Sequence, residues 1–203
     1  MNTKVLHNLT CGLYMLASRN GEKRSGCIIN TVMQVTSKPL RITVTVNKAN
    51  YTHDLIASSG VFTVSLLDQS APFGLFQHFG FQSGRDVDKF KDLSVKEDVN
   101  GVPYLTWASC GYLSCQVVSS MDLGTHTQFL ADVIDAEALE GAAPVSYAYY
   151  QKNIKPKPQP KEEAPVKGWV CTICGYIYEG ETLPEDFICP LCKHGVEAFE
   201  KIQ

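Results

Sequence analysis

Two pairs of cysteines near the C-terminus constrain this chain more than any other feature. Cys171 and Cys174 form one C-x2-C pair, and Cys189 and Cys192 form a second pair after fourteen intervening residues. Two such pairs let four thiolates converge tetrahedrally on one ion, which suits zinc or iron. Residues 168–203 are too few to bury a sufficient core alone, so the metal must contribute to their folding. Two disulfides are the alternative interpretation.

Composition divides the chain of 203 residues into three parts. Residues 151–167 contain four prolines and five lysines but no aromatic residue, which predicts an extended linker. We therefore expect a domain over residues 1–150, the linker over residues 151–167, and a metal unit over residues 168–203. The metal unit carries two lysines against six acidic residues, and the whole chain has a net charge of -3. These charges argue against a nucleic-acid partner and predict a protein partner with a basic rim.

The sequence predicts neither a membrane span nor a secretory signal. No stretch approaches the roughly 20 apolar residues that a membrane helix needs. The first ten residues, MNTKVLHNLT, lack a long apolar core and a small-residue cleavage site. We therefore expect a cytoplasmic protein, in which clustered cysteines indicate metal or redox chemistry. Cys11, Cys27, Cys110 and Cys115 lie in apolar strand contexts, and we expect them to be small buried hydrophobes.

Strand signals dominate residues 1–150. β-Branched, aromatic or alternating runs begin at residues 11, 26, 40, 61, 104 and 126. Asn20 and Gly21 predict a hairpin turn, and two short helices are expected, one over residues 53–60 that ends at Gly60 and one opened by Ser70. The pattern predicts a mainly β fold, an antiparallel barrel of about six strands. Since the spacing does not fit βαβ units and G-x-G-x-x-G is absent, we do not expect a Rossmann domain.

The tail carries motifs that resemble a rubredoxin. These are C-T-I-C-G-Y-I-Y and C-P-L-C, with an aromatic residue before the first cysteine and Phe199 late in the tail. The resemblance implies one iron held by the four cysteines as a one-electron carrier, and a structural zinc ribbon is the alternative. Lys193 stands where the family usually has glycine. If that position needs a positive φ, the lysine costs on the order of 1 kcal/mol.

Four further motifs follow one another along the first domain. They are NTVMQVTSKP at residues 30–39, NKANYT at 47–52, FGFQSGRDVDKF at 79–90 and GTHTQF at 124–129. In this order they resemble the flavin reductase-like family of FMN-binding split barrels, over roughly residues 3–150. The resemblance implies a Greek-key split β-barrel with few short helices and FMN as the cofactor. It also implies a homodimer with the flavin at the subunit interface.

The resemblance and the residue chemistry together select candidate flavin contacts. An FMN phosphate needs backbone N–H groups, hydroxyls and a cation, and the ring needs an apolar face with a few polar contacts. The candidates are Asn30, Thr31, Val32, Met33, Gln34, Asn47, Lys48, Thr52, Ser83, Gly84, Arg85 and Lys89. His126 is the catalytic candidate, expected nearest the reacting ring or the pyridine nucleotide. Thr125 precedes it where the family usually has an acidic residue.

Each of these candidates also has a purely structural interpretation. Asn30 and Gln34 could satisfy a turn, and Lys48 could be a surface charge. The segment of residues 83–89 could be an ion-paired, solvated loop. His126 could be a core or capping histidine.

The two units together predict an electron-transferring enzyme. We expect hydride transfer from NADH or NADPH, with NADH favoured, to FMN, and then single electrons through a Fe(Cys)4 centre to an acceptor protein. Such fusions resemble the high-molecular-weight rubredoxins of anaerobes, which implies a flavodiiron protein that reduces oxygen or nitric oxide as the acceptor. One alternative is a reductase of free flavin or ferric chelates with an incidental tail. The other is a non-enzymatic FMN-binding sensor or interaction module with a structural zinc ribbon.

Overall fold

The computed structural model describes residues 2–156 and 168–202, so most of the expected linker lies outside the described residues. The strands of residues 2–156 are β1 (Tyr14–Asn20), β2 (Lys23–Ile29), β3 (Val32–Ser37), β4 (Leu40–Asn47), β5 (Val61–Leu67), β6 (Lys96–Glu97), β7 (Pro103–Tyr104), β8 (Ser109–Asp122) and β9 (His126–Ala138). The helices are a 3-10 helix (Thr3–Asn8), α1 (Tyr51–Ser59), α2 (Phe73–Gly80) and α3 (Tyr147–Tyr149), which continues as a π-helical turn (Tyr150–Ile154). Seven strands form one antiparallel sheet in the order β2-β1-β5-β8-β9-β4-β3. The predicted mainly β fold is confirmed.

Local sequence sets the first turn and the end of the first helix. β1 and β2 pair with Asn20 opposite Lys23, and Gly21 takes a φ of +60° in the turn, which confirms the predicted hairpin. Gly60 ends α1 at a φ of +72° and donates its N–H to the carbonyl of Ile56, also as predicted. Both glycines occupy the left-handed region, where a side chain would be strained.

The second helix begins later than the sequence predicts. Ser70 was the expected opening residue, but α2 starts at Phe73, with Pro72 as the N-cap. The hydroxyl of Ser70 instead donates to Asp68 Oδ1 at 2.6 Å. Because this hydroxyl is engaged in the preceding turn, it does not cap the helix.

The second predicted strand run is broken in the structure. The run expected over residues 26–35 stops at Ile29 and resumes at Val32, where β3 pairs with β4 at the far edge of the sheet. The hydroxyl of Thr31 donates to the carbonyl of Thr45 at 2.6 Å and ties the crossing segment to β4. Asn30 and Thr31 therefore lie in the connection between β2 and β3 and are not paired within a strand.

Two clusters of buried apolar side chains form the core of residues 2–156. One lies under α2 and includes Phe76, Phe79 and Tyr150, and the other lies within the sheet and includes Phe62. The rings of Phe76 and Tyr150 are 4.6 Å apart. Ile154 packs against the same cluster, so the packing continues a few residues past the expected domain end at residue 150.

The metal unit is a small three-stranded sheet with an aromatic core. Its elements are β10 (Gly168–Cys171), β11 (Ile177–Tyr178), a 3-10 helix (Val196–Ala198) and β12 (Phe199–Ile202). The ring of Phe187 lies 4.7 Å from Tyr178 and 5.4 Å from Phe199. In residues 2–156 and 168–202 no helix combines the length and the apolar character needed to cross a bilayer.

Candidate metal centre and adjoining cleft

Four thiol groups meet at one point of the metal unit. All four sulfur atoms lie within 4.8 Å of one another. Cys171 Sγ is 3.5 Å from Cys192 Sγ, and Cys174 Sγ is 3.4 Å from Cys189 Sγ. Four sulfurs placed about 2.3 Å from a tetrahedral ion would be about 3.8 Å apart. The cluster therefore fits one metal ion, and none of the four cysteines is in a disulfide.

Hydrogen bonding within the cluster favours the thiolate form of one cysteine. A hydrogen bond with Cys192 lowers the pKa of Cys174 to about 5, against the opposing effect of burial. The same contact raises the pKa of Cys192. The contact between the two sulfurs therefore favours the thiolate form of Cys174, which is the form that binds metal.

The metal centre is built from two matching turns, which we call the knuckles, residues 171–176 and 189–194. In the first knuckle the N–H of Gly175 donates to the carbonyl of Cys171 at 2.8 Å, and in the second the N–H of Lys193 donates to the carbonyl of Cys189 at 2.9 Å. Gly175 has a φ of +80° and Lys193 a φ of +61°. Lys193 therefore has the positive φ at which its side chain is expected to cost free energy.

Replacing Lys193 with glycine is expected to stabilise the metal unit by about 0.5–1 kcal/mol, because it removes a side chain at positive φ. The measurement is the guanidinium midpoint for loss of the metal–thiolate absorption band of the full chain. Gly175→Ala is the control and should shift the midpoint in the opposite direction. An added Cβ at Gly175 meets no atom within 4 Å, so backbone strain at positive φ is the expected cause. That variant should lose about 1 kcal/mol. A lowered midpoint for Lys193→Gly would contradict the strain argument.

A cavity of about 390 Å³ lies between the first domain and the knuckles. The first domain lines it with polar residues, which include Asn30, Thr31, Asn47, Asn50, Ser83 and His126. Its apolar lining includes Phe76, Phe79, Tyr147 and Tyr150. The metal unit lines it with Ile173, Leu191, Cys192, Lys193 and His194. A ligand in this cavity would therefore contact both units.

Four of the predicted flavin contacts line this cavity together with His126. They are Asn30, Thr31, Asn47 and Ser83. His126 lies opposite Asn47 in the pairing of β9 with β4. Its Nδ1 is 2.9 Å from the hydroxyl oxygen of Thr125. The threonine hydroxyl thus provides a partner at the position where the family usually has a carboxylate.

Asn50 lines the cavity but was not among the candidates. It is the N-cap of α1, and its Oδ1 accepts a hydrogen bond from the backbone N–H of Thr52 at 3.1 Å. Because the sequence placed the helix start at His53, the capping signal of an asparagine before the helix was missed. Thr52 itself is buried, and its hydroxyl donates to Ser25 Oγ at 3.1 Å. Thr52 does not line the cavity.

Two predicted cations form ion pairs outside the cavity. Lys48 Nζ donates to Asp122 Oδ1 at 2.6 Å. Arg85 Nη2 donates to Asp54 Oδ2 at 2.5 Å, and its guanidinium lies 4.9 Å from the centre of the Tyr51 ring. Both cations are thus ion-paired at the surface, and their expected contacts with a flavin stay predictions.

Lys89 and Gly84 serve the packing around β2. Lys89 is 2% exposed, and its Nζ donates to the carbonyls of Gly26 at 2.9 Å and Phe79 at 2.8 Å. Burial lowers the pKa of Lys89 to about 8. A Cβ at Gly84 would collide with the side chain of Ser25. Neither residue lines the cavity, and the expected contact of Lys89 with a flavin stays a prediction.

The remaining candidates lie on the edge strand β3. Met33 is 66% exposed, Gln34 is exposed and Val32 is half-buried. None of the three lines the cavity of this chain. Which of the candidates touch a bound flavin stays a prediction.

The cysteines of the first domain differ in burial. Cys27 and Cys115 are buried, and burial raises the pKa of the first to about 11 and of the second to about 12. Cys11 and Cys110 are half-buried. The two buried thiols match the expected small hydrophobes, and Cys27 also lines the cavity.

Comparison with known sequences identifies both parts of the chain. The model of the flavin reductase like domain matches residues 6–157. This chain belongs to the flavin reductase-like family. The model of the rubrerythrin, rubredoxin-like domain matches residues 169–200 and covers all four cysteines of the metal centre. The chain is therefore a flavin reductase-like domain fused to a C-terminal rubredoxin-like domain, as the sequence motifs predicted.

Three known proteins show how far the similarity extends. The high molecular weight rubredoxin of Moorella thermoacetica is 37% identical, with 100% of both chains covered. The ferric-chelate reductase (NAD(P)H) of Archaeoglobus fulgidus is 36% identical over 77% of this chain and 93% of its own. The solved NADH:FAD oxidoreductase of Streptomyces globisporus, in complex with NAD and FAD fragments, superposes with a TM-score of 0.63 at 22% identity, covering 70% of this chain and 83% of its own. This last similarity supports the fold alone.

Proposed function

We propose that this protein is an NAD(P)H-dependent oxidoreductase that passes electrons from a flavin through its rubredoxin-like domain to an acceptor protein. The observation that carries the proposal is the cavity shared by the two domains. His126 lines it from the first domain, and Ile173 and Leu191 line it from the knuckles. A donor and an acceptor placed on either side of one cavity are held close together by the chain itself.

FMN and iron are the cofactors that these residues suit. When bound, a flavin accepts a hydride from a pyridine nucleotide and returns two single electrons and a proton, and iron carries electrons one at a time. The cavity falls in the range of about 300–1,000 Å³ that is typical of ligand pockets. The four-thiolate centre suits iron as well as zinc, and the match to the rubredoxin-like domain supports iron.

The residues of the cavity divide into polar and apolar roles. Asn30, Thr31 and Asn50 offer amide and hydroxyl groups between strands and at a helix start, which suits a phosphate. Phe79 and Tyr150 offer an apolar surface that excludes water from a bound ring. We assign these residues to flavin binding, and His126 to contact with the reacting ring or the pyridine nucleotide.

A flavodiiron protein is the acceptor that we propose. The full-length similarity to a high molecular weight rubredoxin supports an external protein acceptor. The rubredoxin-like domain carries two lysines against six acidic residues, which suits a partner with a basic rim. Electron transfer to such a partner should slow as salt is added.

We also propose a homodimer in the cytoplasm. Large exposed apolar side chains concentrate on β3, β4 and the hairpin of β8 and β9, as expected of a surface that a second subunit covers. They are Met33, Val35, Leu40, Val118, Met121, Leu123 and Ile134. Sedimentation equilibrium should give twice the chain mass of 22.4 kDa, and a monomer at micromolar concentration would contradict the dimer.

The proposed location in the cytoplasm is supported by the cysteines. All eight are unpaired, which suits a reducing compartment.

Rapid mixing of the full chain, loaded with FMN and iron, with NADH or NADPH tests the electron-transfer proposal. We expect the flavin absorption to bleach first and the ferric–thiolate absorption to bleach afterwards. The nucleotide that reacts faster identifies the physiological donor. Flavin bleaching that is never followed by bleaching of the ferric–thiolate band would overturn the proposal.

A ferric-chelate reductase is the second candidate, because the Archaeoglobus fulgidus reductase aligns with 77% of this chain. Under that function the rubredoxin-like domain is incidental to turnover. The two candidates are separated by comparing the full chain with a chain that ends at Pro156, the last described residue of the first domain. Equal rates of reduction of a protein acceptor by both chains would favour the second candidate.

A further inference from the structure

One lysine holds the rubredoxin-like domain against the first domain. Lys155 Nζ donates to the carbonyl of Thr172 at 3.2 Å and to that of Ile173 at 3.0 Å, the two residues inside the first C-x2-C pair. The backbone N–H of Lys155 donates to the carbonyl of Tyr150 at 2.8 Å. Because Tyr150 is packed in the core of the first domain, the lysine connects that core to the first knuckle.

The docked knuckles form one wall of the cavity without packing tightly against the first domain. Ile173 is 36% exposed and Leu191 is 43% exposed, although both line the cavity. Their side chains therefore border an open space. His126, which we assign to contact with the reacting ring or the pyridine nucleotide, borders the same space from the opposite domain.

A flavin and a stacked nicotinamide ring would share this space with the knuckles. Its volume of about 390 Å³ is near the lower end of the range of about 300–1,000 Å³ seen for pockets that hold one small ligand. A nicotinamide ring stacked on a flavin adds a second aromatic layer at a separation of about 3.5 Å. The knuckle wall is the part of the lining that can move away without unfolding the barrel. A second ring stacked on the flavin near His126 would therefore contend with that wall for the same space.

We propose that the rubredoxin-like domain and the pyridine nucleotide take turns in occupying the same side of this cavity. Lys155 is the positioning residue that keeps the domain against the cavity, an arrangement that we call the docked state. The inference rests on the proposed function. Nucleotide binding then requires the two hydrogen bonds of Lys155 to break, and transfer toward the metal centre requires them to form again. An external acceptor likewise reaches the knuckle face only when the domain is released.

The connection between the domains is long enough for this exchange. Eleven residues, 157–167, separate the described parts of the chain. Whatever their conformation, they span at most about 40 Å. A released domain therefore stays tethered near the cavity and can dock again rapidly.

Titration of the oxidised holoprotein with NAD⁺ and with NADP⁺ tests the competition by a readout that is independent of turnover. In Lys155→Met, the dissociation constant of the nucleotide that binds should fall about three- to tenfold, because displacing the domain no longer breaks two hydrogen bonds from a charged donor. Lys152→Met is the matched control, since Lys152 is an exposed lysine on the same turn, and it should bind like the wild type. Lys155→Arg, which retains a charged donor for the carbonyls, should move the dissociation constant back toward the wild-type value.

Small-angle scattering of the wild-type holoprotein provides a second test that needs no variant. Saturation with the nucleotide should increase the radius of gyration, because the rubredoxin-like domain leaves the cavity. Equal nucleotide affinity in the wild type and Lys155→Met, or an unchanged radius of gyration at saturation, would overturn the competition and leave the proposed function intact. A holoprotein that binds neither nucleotide in any variant would instead contradict the proposed function.

Discussion

Replacing Cys189 with serine is expected to abolish the metal–thiolate absorption and to unfold the rubredoxin-like domain, while the first domain stays folded. Cys189 is fully buried, and its thiol is one of four that converge on the metal position. Metal binding by small cysteine-based domains contributes about 10–16 kcal/mol. The aromatic core around Phe187 and Phe199 is too small to replace that contribution. The measurements are metal content, visible absorption and protease resistance of the full chain.

The matched control for this change is Cys11→Ser. Cys11 is a half-buried free thiol of the first domain that takes no part in the four-thiol cluster. This variant should keep the full metal content and the visible spectrum of the wild type. Flavin content should be retained in both variants, because the barrel has its own core. A Cys189→Ser protein with stoichiometric metal and a protease-resistant tail would show that three thiols suffice.

Replacing Lys89 with methionine is expected to change how stability depends on pH. Burial lowers the pKa of Lys89 from 10.5 to about 8, and the nearby Cys27 opposes this shift. Below about pH 8 the ammonium is charged in both the folded and the unfolded chain, so the burial penalty is fully present. Between about pH 8 and 10.5 the unfolded chain keeps a proton that the folded chain has lost. In that window the contribution of Lys89 to the free energy of unfolding therefore rises with pH.

The difference in unfolding free energy between the wild type and Lys89→Met isolates this contribution. It should increase with pH by roughly 2–3 kcal/mol between about pH 8 and 10.5. Urea unfolding of the full chain at several pH values measures it, with flavin and metal loading held constant. Lys91 is exposed two residues further on, and Lys91→Met should follow the pH dependence of the wild type. A difference that is the same at pH 7 and pH 10 would contradict a buried ammonium.

Some features of this protein follow from residues close together in the chain. The C-x2-C pairs predicted the metal centre because two residues between ligands let one turn present two sulfurs to the same ion. Asn20 and Gly21 predicted the hairpin, and Gly60 the end of α1, because the glycines adopt left-handed backbone conformations at low cost. Lys193 was singled out for the same reason, and its φ of +61° supports it.

Other features depend on partners that are remote in sequence. Lys48 and Lys89 look alike as candidate cations. The first pairs with Asp122 on the β8–β9 hairpin, whereas the second is buried on the carbonyls of Gly26 and Phe79. Asn50 lines the cavity only because the fold brings the start of α1 to it.

By itself, the sequence determined the two kinds of domain, the four clustered cysteines and the turns, because each depends on local spacing and on backbone preferences. Only the tertiary structure decided which polar residues share a cavity, that the knuckles line one side of it, and that Lys155 donates to the first knuckle. The reason is physical: a long polar side chain can reach many partners. The one it binds is set by which backbone carbonyls and carboxylates the fold leaves within about 3 Å of it.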